Sequence, residues 1–175
     1  MRKIILYPLL ISFYLITACN SIPTNDITTT AELDPKANFK GYKTYAWLGS
    51  AGILKDPEGL WEPPKYDADA EITSLINKEL HDRGMTETSK KPDLVVAYAL
   101  GVDMAALKAK TNPETNMSVL KNVPQGALMV LLIDSDTGFV IWAGSATAEI
   151  KNLGPDASKQ RLAFAISGMF KKLPK

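Results

Sequence analysis

The sequence predicts an α+β fold, a mostly antiparallel sheet with two helices packed on one face. Three observations carry this. Apolar residues alternate with a period of two in most segments, two segments instead space them by three and four, and the strand-like segments gather in runs instead of alternating strictly with helices. The predicted order is β-β-α-β-β-β-α, with residues 27–175 as one domain behind a signal (1–18) and a tether (19–26). No internal repeat or low-complexity tract is present.

Residues 27–33 place Ile27, Thr29, Ala31 and Leu33 on one face of a first strand, which Asp34-Pro35 ends. Residues 42–48, rich in aromatic and β-branched side chains, predict the second strand. Between 49 and 66 the glycines, Pro57, Pro63 and Pro64 predict a long loop. Long loops in a compact domain are often functional, and Trp61 and Tyr66 are its candidates for a partner or ligand contact. The alternative for Trp61 is simple return to the core.

Asp67 to Arg83 predicts the first helix. Ile72, Leu75, Ile76 and Leu80 form its apolar stripe, Asp67 or Asp69 caps its start, and Gly84 stops it. Pro92-Asp93 introduces a strand over 94–102 with large residues on one face (Leu94, Val96, Tyr98, Leu100, Val102). The other face is smaller (Val95, Ala97, Ala99, Gly101), which predicts a central strand with a helix close against the small side. Residues 108–124 predict a second long loop, and the continuous apolar run 127–134 the most buried strand. Asp134-Ser135-Asp136-Thr137-Gly138 is turn chemistry, returning the chain as a hairpin partner over 139–150. The last helix, about 157–172, carries Leu162, Ile166, Met169, Phe170 and Leu173 on one stripe.

The amino terminus speaks to location. Met1-Arg2-Lys3 precedes an apolar run from Ile4 to Ile16, then Thr17-Ala18 and the single cysteine, Cys19. A basic start, a short apolar run and small residues before a cut make a bacterial export signal. The run is too short for a bilayer core of roughly 30 Å, which takes about 20 helical residues, and it contains Pro8. Ile16-Thr17-Ala18-Cys19 looks like a lipobox, which implies cleavage before Cys19 and acyl chains on it. Several chains hold a protein on a membrane essentially permanently. Asn20, by resemblance to enterobacterial lipoproteins, points to the outer membrane, facing the periplasm. Cleavage leaves 18 basic against 19 acidic residues. A near-neutral chain offers no broad basic face for nucleic acid, and with Cys19 acylated no disulfide forms.

Chemistry is sparse. His81, the one histidine, reads as a helix-end residue, and without a second histidine or free thiol no Cys/His zinc site can be assembled. No G-x-S-x-G elbow and no phosphate-cradling glycine loop occurs. Asp67 with Asp69 is explained by attraction to a helix start. Asp134-Ser135-Asp136 after a strand resembles the Asp-x-Asp signature of haloacid-dehalogenase-like phosphotransferases, whose carboxylates gather around magnesium. Gly138 departs from that pattern, and the chain returns at once as a strand. The calcium-loop pattern fails at Phe139 and Ser145. A hairpin turn is the preferred reading. No cofactor is expected.

Asp34-Pro35, Phe39, Tyr42-Lys43-Thr44-Tyr45 and Trp47 form the pattern D-P-x-x-x-F-x-x-Y-K-T-Y-x-W. With Arg83-Gly84, Pro92 to Val96, Asp134, Thr137-Gly138 and Ile141-Trp142, it resembles a family of small bacterial envelope lipoproteins known only as a domain of unknown function. The resemblance implies a lipid-anchored, periplasm-facing α+β domain and no catalytic residues. The expected function is a non-enzymatic interaction or assembly factor, bound to the membrane through Cys19 and to an envelope protein. A binding module for a lipid, glycan or small hydrophobic ligand is the alternative, and a phosphohydrolase on Asp134 and Asp136 a distant one.

Overall fold

In the computed structural model, residues 22–111 and 118–174 are described. The elements are β1 (Thr28–Leu33), β2 (Thr44–Lys55), α1 (Ala68–His81), β3 (Thr86–Glu87), β4 (Leu94–Asp103), β5 (Leu107–Thr111), β6 (Ser118–Asn122), β7 (Gln125–Asp134), β8 (Val140–Glu149) and α2 (Pro155–Phe170). Six strands form one mixed sheet in the order β1-β8-β7-β4-β2-β3, and among the described residues β5 pairs with β6 alone. Along β1, β8, β7 and β4 each strand is antiparallel to its neighbour, while β2 runs parallel to both β4 and β3. The fold is the α+β one expected, with both helices on one face.

Local chemistry sets the helix ends. The Asp67 carboxylate accepts from the Ala70 amide at 2.9 Å. At the other end Gly84 takes φ 79°, and the Met85 amide donates back to the Leu80 carbonyl, as a left-handed stop requires. Arg83 then ties the two helices together. One guanidinium nitrogen donates to the Glu79 carboxylate and the other to the Phe170 carbonyl at the end of α2.

The core lies between the helices and one face of the sheet. Ile72, Ile76 and Leu80 of α1 join Ile166, Met169 and Phe170 of α2. Opposite them stand Tyr45, Leu94, Val96, Tyr98, Val130, Leu132 and Trp142. β4 is central, as expected, but the helices cover its large face and not its small one. The helical stripes are themselves bulky, so they fill space against large partners and leave Val95, Ala97 and Ala99 on the uncovered side. β7 follows the same rule. Leu128, Val130 and Leu132 are buried while Ala127 and Met129 are exposed, so the apolar run 127–134 is half-buried and not the most enclosed strand.

Both predicted loops are shorter than expected. β2 continues to Lys55 through a register shift between Trp47 and Gly49, its added residues held by ladder pairing to β4 from Gly49↔Ala97 to Lys55↔Asp103. Within 108–124, β5 and β6 pair from Leu107↔Asn122 to Thr111↔Ser118. In both places tertiary pairing supplies the extended form that glycine and polar side chains do not favour on their own.

Candidate functional site

Cys19 and the expected export signal lie outside the described residues. Close behind them in the chain, Pro23 and Asp26 belong to a heavily bonded polar cluster. Asp26 receives a two-pronged contact from Arg161 on α2, at 2.9 and 2.6 Å, and the Lys151 ammonium lies at 2.7 Å. Arg161 also donates to the carbonyls of Pro23 and, at 3.1 Å, Glu149. The Glu149 amide in turn donates to Asp26 at 3.0 Å. Both side chains of the central pair are about nine-tenths buried. The hydrogen bonds from Arg161, with further help from Lys151, hold the Asp26 carboxyl well below the usual carboxylate range despite its burial. Residues 23–26, the base of the expected tether, are therefore clamped to β8 and α2. Sequence reasoning misses Arg161, although it shares the i, i+4, i+8 row of Ala165 and Met169, where a charge needs a buried partner.

Trp61 and Tyr66 fall on the segment after β2. The Asp56 carboxylate accepts from the amides of Leu60 (3.0 Å) and Trp61 (2.7 Å), closing a compact turn. That turn lies beside Met104, Ala105 and Asn122. Trp61 is half-buried and outside the core cluster. Tyr66 is half-buried against α1 and α2, with the Lys159 ammonium 5.4 Å from its ring centre. Burial, with the Glu71 charge, raises its hydroxyl pKa. The structure does not gather Trp61 and Tyr66 around one cavity.

The outer edge of β2 is a further feature. β3 covers only Thr44 and Tyr45, so among the described residues Ala46 to Lys55 have β4 on one side and no strand on the other. Leu48 to Lys55 are exposed throughout. Natural edges are commonly blunted by charge. At the opposite edge the Lys172 ammonium caps the Thr29 carbonyl of β1 at 2.8 Å, whereas Ala46 to Leu54 carries no charge. Beside this edge runs a shallow, open groove on α1 lined by Asp69, Thr73, Ser74, Asn77 and His81. Asn77 there accepts from the Tyr45 hydroxyl (2.9 Å) and the Trp47 indole (3.0 Å). His81 is an exposed helix-end residue, 3.4 Å from the Tyr45 hydroxyl.

Asp134 stands in the β7–β8 turn with its carboxylate occupied by the Tyr42 hydroxyl, the Thr137 amide and the Thr137 hydroxyl, each at 2.8 Å. The Thr137 bonds lead in lowering its pKa. The Gly138 amide closes the turn onto the Asp134 carbonyl, with Gly138 at φ 74°. This is the architecture of a hairpin turn. Among the described residues no three His, Cys, Asp or Glu side chains gather as a metal would need, and no helix is long and apolar enough to cross a membrane.

Comparison with known proteins fits the fold. A DUF4136 family protein from Bacteroides thetaiotaomicron superposes with a TM-score of 0.53 at 14% identity, covering 84% of this chain and 95% of that one. A PDZ domain protein from Parabacteroides distasonis superposes with a TM-score of 0.50 at 16% identity over 86% of this chain, which spans only 36% of that protein. At such identities the likeness speaks to the fold. Curated protein sequences offer no match. Residues 29–175, nearly all of the chain beyond the tether, match the family described as a domain of unknown function (DUF4136), and the chain belongs to that family.

Proposed function

We propose that this protein is a lipid-anchored envelope lipoprotein, acylated on Cys19 and facing the periplasm from the outer membrane, that acts by contact and not by catalysis. The observation that carries the contact reading is the uncovered β2 edge. Nine uncharged residues expose one side of their backbone, beside a groove of polar side chains on α1. Such an edge takes an extended segment from a partner by main-chain pairing, with the groove reading its side chains. The export signal and Cys19 favour a partner in the envelope.

The test is photocrosslinking in the native envelope, with a photoreactive residue at Leu48 and a control at the exposed Gln160 of α2, read by mass spectrometry. One reproducible protein adduct at Leu48 and not at Gln160 is the expected result. Equal labelling at both positions rules out the edge as the contact surface. The second reading, a binding module for a lipid or small hydrophobic ligand, rests on Trp61, which the Asp56 turn holds outside the core.

A further inference from the structure

The tether, the Trp61 turn and the β4–β5 connection all meet at one end of the sheet. Glu149, bonded to Asp26 at the tether base, pairs with Gln125, Gln125 with Asp103, and Asp103 with Lys55. That row crosses four strands, and Asp26 lies one strand further out, beside Glu149, so the tether base and the end of β2 are about 19 Å apart. The connections beyond the row are bonded to one another as well. The Met104 amide donates to Lys55, the Val123 amide to Ala106 and the Ile150 amide to Pro124. The turn of residues 56–61 rests on Met104, Ala105 and Asn122 of this same rim.

Large apolar side chains stand out from this rim. Ile53, Leu54, Leu60 and Leu107 each leave more than half of their surface exposed, and Trp61 adjoins Leu60. They are not on floppy chain: Leu54 is in the β2–β4 ladder, Leu107 in the β5–β6 ladder, and Leu60 in the turn that Asp56 closes. Only Asn20 and Ser21 separate Cys19 from Ile22. Three peptide units span at most about 11 Å, and the clamp on Pro23 and Asp26 removes slack from the rest of the tether.

We infer that this rim is a membrane-docking surface, with Leu54, Leu60, Trp61 and Leu107 entering the interfacial zone of the bilayer that holds the Cys19 acyl chains. The inference rests on the anchoring reading above and names lipid as what the Trp61 turn meets. A tether of this length keeps its end of the sheet within about 11 Å of Cys19, and tryptophan beside leucine is the composition that the headgroup layer favours. The charges along the rim are mixed and partly paired, Lys55 with Asp103 and Lys108 with Glu149. Docking is therefore apolar, and it proceeds on zwitterionic lipid and changes little with salt.

The test uses the full acylated chain in phosphatidylcholine vesicles. With Cys19 carrying lipid on its sulfur, a cysteine introduced by Leu60→Cys or Leu107→Cys is the single free thiol and takes one environment-sensitive fluorophore. Phe139→Cys, at an equally exposed apolar position on the β7–β8 turn at the other end of the sheet, is the control. Brominated phosphatidylcholine quenches the labels at 60 and 107 and leaves the label at 139 untouched. Quenching that is equal at all three positions overturns the inference, and so do labels at 60 and 107 shielded from both brominated lipid and aqueous iodide, which assign the rim to a protein. Intact mass separates the two levels of failure. A chain with lipid on Cys19 but no quenching at 60 and 107 defeats docking alone, while a chain without lipid defeats the anchoring reading together with the docking that rests on it.

Discussion

Gly144 shows how one residue governs the closest packing in the core. It sits on β8 beneath α2, where an added Cβ would come within 2.3 Å of the Trp142 ring and 3.1 Å of the Met169 Cβ. Trp142 is fully buried, with its ring centre 4.9 Å from that of Phe170, so it has no room to withdraw. Gly144→Ala should cost about 2 kcal/mol through overpacking, read as a lower urea midpoint with an unchanged slope. The same substitution at Gly154, which meets nothing within 4 Å, should cost far less. Arg161 makes the complementary case. Replacing it with alanine leaves the largely enclosed Asp26 carboxylate with only Lys151 and the Glu149 amide and should remove about 2 kcal/mol, a fall of roughly 6 °C in melting temperature. Because the folded state depresses the Asp26 pKa, its stabilisation is complete above the unfolded value of about 4 and is lost as pH falls through the lower folded value. Asp26→Asn should accordingly flatten the acid limb of a stability-against-pH curve, and an unchanged limb would show that another carboxylate controls it.

At the scale of elements, what the sequence disclosed depends on where the information resides. α1 was legible because a stripe, a cap and a stop lie in or beside its segment, and α2 because Gly154-Pro155 opens a continuous stripe. The β7–β8 hairpin was legible because Asp134 to Gly138 closes its own turn. The far half of β2 was not. Gly49-Ser50-Ala51-Gly52 has little strand preference, and its extended form comes from β4, more than forty residues away. β5 and β6 were missed for a different reason, since among the described residues each takes its extended form from pairing with the other alone. The alternation along β4 disclosed two unlike faces but not which one the helices would take, since that depends on the bulk of Ile72, Ile76 and Met169. Of the candidate site residues, Trp61 and Tyr66 were visible as aromatics in a proline-rich stretch. The clamp was not, because a tether aspartate and a helix arginine 135 positions apart have no local mark that joins them. The bare edge of β2 could be read only after its ladder partner was known.

At the scale of the whole molecule, three tyrosines, two on strands and one just before β2, link the sheet to the helix and turn around it. The Tyr45 hydroxyl reaches Asn77 on α1, the Tyr98 hydroxyl reaches Asp69 at its start, and the Tyr42 hydroxyl reaches Asp134 across the β7–β8 turn. Burial, reinforced at Tyr42 and Tyr98 by the bonded carboxylate, pushes all three up to about 12. The unfolded chain releases these protons near 10, so the folded state holds more protons between the two values. The stabilisation is complete below about pH 10 and disappears as pH rises through 12. Urea midpoints should be flat from pH 7 to 9 and fall steeply above 10, and Tyr98→Phe should make that fall shallower. A midpoint that stays level to pH 11 would contradict the shifts. The clamp at the tether base also has a mechanical meaning. If the acyl chains hold one end while a partner bound at the β2 edge pulls on the other, the load enters at Pro23 and meets Arg161 first. Past that clamp it runs along β1, where the six pairs from Thr28↔Thr147 to Leu33↔Trp142 share it lengthwise in shear instead of parting one at a time. On the proposed anchoring and contact, this end of the chain would act as a strain relief, and tension would reach the core only after the outermost strand had slid as a unit.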